Sequence, residues 1–141
     1  MVILTVDDEP FLVELIQEAL ERDGHTCLTA TNVDEAEWVA REVAIDALIL
    51  DFSMPGRAPL DWLEELALAT PELARRTLIV TGHLLDEGLV LRIHGCGAAV
   101  LSKPFDIAAL AAFVGRLASL PSNPPDGRPP RSLEKGDSPF S

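Results

Sequence analysis

Leu48-Ile49-Leu50-Asp51-Phe52-Ser53-Met54-Pro55-Gly56 is the stretch on which the reading of this chain turns. An apolar run ends in a carboxylate, and a turn-rich segment follows at once. A continuous apolar run bounded by Pro and Gly reads as a strand buried on both faces. Asp51 then stands where such a strand leaves the sheet, which is where open α/β folds carry their chemistry. Comparable apolar runs end at Asp7-Asp8, at Thr81 and at Lys103.

On the N-terminal side, residues 2–6 (VILTV) predict a first strand, stopped by Asp7-Asp8-Glu9-Pro10. Pro10 opens a helix, because its missing N–H is not needed in a first turn. Leu12, Leu15, Ile16, Ala19 and Leu20 follow at helical spacing, with Glu14, Gln17, Glu18 and Glu21 opposite. Gly24 supplies a left-handed stop. Residues 26–30 predict a second strand, and Asn32 with Glu35 reads as an N-cap with its capping-box partner.

On the C-terminal side, Leu60, Leu63, Leu66 and Ala67 mark a third helix with Trp62 on its flank. Residues 77–81 predict a fourth strand. The next helix, over residues 83–94, contains Gly88; a mid-helix Gly costs roughly 1 kcal/mol relative to Ala, so this helix is predicted to be the least stable. Residues 98–102 predict a fifth strand ending at Lys103-Pro104. Asp106 caps a last helix carrying Ile107, Leu110, Phe113, Val114 and Leu117. Five strands alternating with five helices predict an α/β, doubly wound parallel sheet with right-handed crossovers.

The chain of 141 residues suits one domain, and its 48% hydrophobic content supports a core. That domain is expected over residues 1–120, with a flexible Pro-rich tail over 121–141. In the tail Asp126, Glu134 and Asp137 balance Arg128, Arg131 and Lys135, so the net charge of −12 belongs to residues 1–120. Such acidity repels phosphate backbones and anionic membranes and favours a protein partner. No run is long enough to span a bilayer, and the acidic N-terminus is no signal peptide. Cys27 and Cys96 fit neither a metal spacing nor a disulfide framework, which points to the cytoplasm.

In a parallel sheet all strand C-termini share one edge, so Asp7, Asp8, Asp51, Thr81 and Lys103 should converge. Clustered carboxylates repel unless a cation joins them. Oxygen ligands without nearby His or Cys favour Mg²⁺. A carboxylate beside Mg²⁺ can attack phosphorus to give an aspartyl phosphate. Lys103 and the Thr81 hydroxyl would compensate the phosphoryl oxygens, with Gly82 leaving room for the group to enter. Taken singly the motifs have plainer readings. Asp7-Asp8 is a helix-start acidic pair, Asp51-x-x-Met-Pro-Gly a capped turn, and Thr81 a β-branched strand residue. Their common place at strand ends, in order, argues against coincidence.

Asp7-Asp8, Asp51-x-x-Met-Pro-Gly56, Thr81-Gly82 and Lys103-Pro104-Phe105 resemble the receiver domains of two-component response regulators, in particular stand-alone receivers of the chemotaxis type, over about residues 1–120. The resemblance implies a flavodoxin-like strand order, 2-1-3-4-5. It implies that Asp51 accepts a phosphoryl group from a sensor histidine kinase or a histidine phosphotransfer protein. It further implies that Asp8, Asp51 and the Ser53 backbone carbonyl bind Mg²⁺ directly, that Asp7 acts through water, and that Thr81 and Lys103 hold the phosphoryl group.

Receivers usually carry Tyr or Phe three residues before the lysine, where this chain has Val100. Ser53 and His83 occupy positions that modulate dephosphorylation in the family; His83 itself reads as a solvent-facing rim residue. The expected function is phosphorylation-dependent binding to a separate downstream protein, with no chemistry beyond the chain's own phosphorylation and dephosphorylation. Two other readings stand beside it. A degenerate receiver would be a constitutive binding module, an idea that Val100 keeps open. An aspartyl-phosphate phosphatase would want a second Asp where Ser53 stands.

Overall fold

The computed structural model describes residues 1–54, 56–82 and 86–118. Five parallel strands, β1 (Val2–Val6), β2 (Thr26–Ala30), β3 (Ala47–Asp51), β4 (Thr77–Thr81) and β5 (Ala99–Ser102), form one sheet in the order β2-β1-β3-β4-β5. This is the flavodoxin-like order. The strands fall where the apolar runs lie, with β3 taking in Asp51 and β5 starting one residue later than expected.

The central strands are buried at every position, because alternate side chains serve two separate cores. Leu48 and Leu50 of β3 face one core, together with Leu4, Val6 and Ile79. Ala47 and Ile49 face the other, with Ile3, Leu78 and Val80. Burying one such leucine contributes about 1.5–3 kcal/mol. A run apolar at every residue, rather than at every second one, is the signature of a sheet covered on both sides.

Helices α1 (Pro10–Arg22) and α6 (Ile107–Ala118) close the second core through Ile16, Leu20, Leu110 and Val114. Helices α2 (Val33–Glu42), α3 (Pro59–Ala69), α4 (Pro71–Arg75) and α5 (Glu87–Gly95) lie on the first. The described residues thus contain six helices where five were expected. The extra one is the short α4. Pro71 has no N–H with which to continue α3, and it stands instead at the first position of a new helical turn. Trp62, read as packing on the flank of the third helix, is buried in the first core at 2% exposure.

The α5 region also departs from expectation. The helix begins at Glu87, with Asp86 as N-cap accepting the Leu89 N–H at 2.7 Å. Gly88 therefore sits in the first turn, where N–H groups have no helical partner in any case, and not mid-helix. The penalty assigned to it does not apply in full. Residues 83–85, including His83, lie outside the described residues, as do residues 119–120 and the whole tail over 121–141. Asn32 caps α2 as read, accepting the Glu35 N–H at 2.8 Å, while the Glu35 carboxylate accepts the Thr31 N–H at 2.6 Å.

Candidate functional site

The C-terminal ends of β1, β3, β4 and β5 meet on one edge. Register places Asp51 beside Val80, so Thr81 lies one residue further along β4, and Thr81 pairs with Ser102 just before Lys103. The backbone locks these ends together: the Phe52 N–H donates to Val80 O at 3.0 Å, and the Lys103 N–H donates to Thr81 O at 2.7 Å. The Lys103–Pro104 peptide is cis.

Asp51 and Asp7 are buried, at 1% and 3% exposure, and Asp8 is exposed beside them. One oxygen from each of the three carboxylates can be chosen so that all lie within 4.8 Å of one another. The Lys103 ammonium lies against two of them, 3.4 Å from Asp7 Oδ2 and 3.5 Å from Asp51 Oδ1. Burial alone would pull its pKa down, but the Glu9 hydrogen bond and the charges of Asp51 and Asp7 outweigh that and raise it.

Asp51 divides its two oxygens between different duties. Oδ1 accepts the Ser53 N–H at 3.0 Å and the Ser53 hydroxyl at 2.7 Å. Oδ2 is buried and has no hydrogen-bond partner among the described residues. A buried carboxylate oxygen left this way is costly unless a cation or an incoming group satisfies it. The all-oxygen donor set of Asp7, Asp8 and Asp51 fits a hard divalent cation.

Burial raises the pKa of Asp7, the Glu9 N–H draws it back down, the Asp51 charge raises it and Lys103 lowers it, leaving it above the ordinary carboxylate value of 3.8. The folded chain therefore binds this proton more tightly than the unfolded chain does. Because burial outweighs the Lys103 ion pair, the sign is opposite to that of an Asp whose ion pair dominates: stability is lost as pH rises from 3.8 through the folded value. Asp7→Asn, which keeps an acceptor for the Glu9 N–H, should be more stable than wild type at pH 7 in EDTA. Urea midpoints should show that gain shrinking as pH falls towards 3.8. A gain that is independent of pH would refute the account.

The structure groups the Asp7, Asp8 and Asp51 carboxylates, sets the Lys103 ammonium against two of them and the Ser53 hydroxyl against Asp51, and joins Thr81 to Lys103 through the backbone. Two neighbours were not anticipated. Glu9 takes Lys103 Nζ at 2.8 Å, closer than either Asp. Arg57, after the Gly56 turn (φ +94°), reaches Glu37 on α2 at 2.9 Å and Glu65 on α3 at 2.8 Å, anchoring the loop that follows Asp51. A run of alternating charges gives no hint of either pairing, since both depend on how distant elements pack. A Cβ at Gly82 would stand 3.9 Å from the Lys103 side chain, an ordinary contact within the chain itself. Val100 is partly buried against the first core.

Comparison with known proteins agrees with this geometry. The response regulator receiver domain family matches residues 3–115. The chain is 32% identical over 136 residues to the transcriptional regulatory protein TcrA of Mycobacterium tuberculosis, covering 96% of this chain and 51% of that protein. It is 32% identical over 105 residues to the probable transcriptional regulatory protein TcrX of the same organism, covering 74% and 44%. The chain thus spans about half the length of these relatives. The non-phosphorylated HemR receiver domain of Leptospira biflexa superposes with a TM-score of 0.77 at 28% identity, over 87% of this chain and 98% of that one. No helix among the described residues is long and apolar enough to cross a membrane. With the family matched over most of its length and the strand-end carboxylates, threonine and lysine in place, the chain belongs to the response regulator receiver domains.

Proposed function

We propose that Asp51 accepts a phosphoryl group from the phosphohistidine of a sensor histidine kinase or a histidine phosphotransfer protein, and that the phosphorylated chain signals by binding a downstream protein. The observation that carries this reading is Asp51 Oδ2, buried and without a hydrogen-bond partner among the described residues while Ser53 holds Oδ1. Such an oxygen is a nucleophile in waiting. Its attack forms an O–P bond as the P–N bond to the donor imidazole breaks. The electron pair returns to the ring nitrogen, which takes up a proton.

Lys103 and the Thr81 hydroxyl would hold the phosphoryl oxygens, and the Phe52 to Val80 bond keeps the two strand ends in register while they do so. Mg²⁺ would be held by Asp8, Asp51 and the Ser53 backbone carbonyl, with Asp7 acting through water. When bound, it supplies positive charge that offsets both the carboxylates and the phosphoryl oxygens. The phosphorylated residue gains roughly −1.5 to −2 charges, enough to bias α5 and the strand ends beside it.

The Ser53 hydroxyl donates to Asp51 at the position where a phosphatase would want a second carboxylate, which favours signalling over turnover. The full chain, given acetyl phosphate and Mg²⁺, should gain one hydroxylamine-labile phosphoryl group by intact mass. Affinity for a partner should change with beryllofluoride. Failure to take up either group would overturn the proposal. Partner affinity unmoved by beryllofluoride would favour a constitutive binding module.

A further inference from the structure

Glu9 is the N-cap residue of α1, yet its side chain makes no capping bond. Capping side chains are the short ones of Ser, Thr, Asp and Asn, so the longer Glu9 side chain is placed to serve another partner. The Glu9 carboxylate instead accepts from Lys103 Nζ at 2.8 Å, while Asp7 Oδ2 and Asp51 Oδ1 lie at 3.4 and 3.5 Å. The Glu9 side chain is 59% exposed and that of Lys103 16%, so the ammonium is drawn from the buried carboxylates towards the rim. The Glu9 backbone is meanwhile fixed, because its N–H donates to Asp7 Oδ1 at 2.9 Å. The carboxylate that competes for the lysine is thus tied to the same loop as the acidic cluster.

We propose that Glu9 is a positioning residue that acts through Lys103: it holds the ammonium at the rim and must yield it before a phosphoryl group on Asp51 can be clamped. This rests on the reading of Asp51 as phosphoacceptor. Glu9 thereby weakens the hold on the phosphoryl group and lowers the charge attracting an anionic donor. The competition is between one exposed carboxylate and a phosphoryl group, so the effect is modest, on the scale of a surface ion pair.

The test compares full-length wild type, Glu9→Gln and Glu14→Gln in Mg²⁺. Glu14 is a nearby exposed acid on α1, and its removal controls for the general field. Beryllofluoride titration and acetyl phosphate kinetics should give Glu9→Gln about two- to fivefold tighter half-saturation and slower loss of the phosphoryl group. Glu14→Gln should change less than half as much. A readout independent of activity is available, because Lys103 shares the chain with only one other lysine, Lys135. The ¹⁵N-ammonium signal of Lys103 should move in unliganded Glu9→Gln towards its position in the beryllofluoride complex. An unmoved signal with wild-type half-saturation would overturn the inference, as would equal effects from the two variants. Failure of the wild type itself to take up a phosphoryl group would instead bring down the assignment of Asp51.

Discussion

Asp51→Asn should take up no phosphoryl group from acetyl phosphate in Mg²⁺, under conditions expected to label the wild type to completion. The amide is nearly isosteric and can still accept from the Ser53 N–H and hydroxyl, so the strand end keeps its shape. What it loses is the anionic Oδ2, the one buried side-chain oxygen without a partner among the described residues. The variant also removes a charge from a site at 1% exposure, so its melting temperature without metal should not fall. Loss of labelling with retained folding assigns the chemistry to the carboxylate. Borohydride reduction of the labelled wild type should place homoserine at position 51. Label persisting in Asp51→Asn would move the acceptor to another carboxylate.

Lys103→Met should lower the rate of phosphoryl uptake by about two to three orders of magnitude, the usual cost of removing a preorganised group that meets charge developing in the transition state. Met keeps the length of the side chain and removes the ammonium that lies within 3.5 Å of both Asp7 and Asp51. Two consequences follow from that one charge. The buried carboxylates lose a compensating cation, so the metal-free fold becomes less stable. A divalent cation meets less repulsion, so Mg²⁺ should bind more tightly than to wild type. Calorimetric Mg²⁺ titration and single-turnover labelling together separate the roles: slower uptake with tighter Mg²⁺ binding is the signature of a phosphoryl clamp. Slower uptake with weaker Mg²⁺ binding would mean that Lys103 serves the metal site, and unchanged uptake would remove it from the mechanism.

Where the chain signalled its structure in advance, the signal was local. Residues 2–6, 26–30 and 77–81 are strands because apolar, β-prone runs end at turn residues or charges, and the structure returns those bounds unchanged. Asn32 caps α2 because the Asn side chain meets the N–H three residues on, a contact needing no tertiary context. The strand-end residues were legible for a related reason: once the strands are parallel, every C-terminus lies on one edge. The errors arose where tertiary packing competes with local pattern. The extra helix α4 is one, since Pro71 ends α3 and starts a new turn. Gly88 reads as a mid-helix residue until Asp86 is seen to cap the helix two residues before it.

By itself the sequence determined the strands, their parallel arrangement and the five polar residues at one sheet edge, because apolar runs and turn residues act over a few neighbours. Only the tertiary structure decided how those five are held. Ser53 occupies one oxygen of Asp51 and leaves the other without a partner, and Lys103 is shared with Glu9 across 94 residues of chain. Arg57 ties the loop after Asp51 to two helices, one of which precedes it in the chain. Such pairings between charged groups depend on distances of 2.8 to 3.5 Å set by helix and strand packing. Residue order alone carries no measure of those distances.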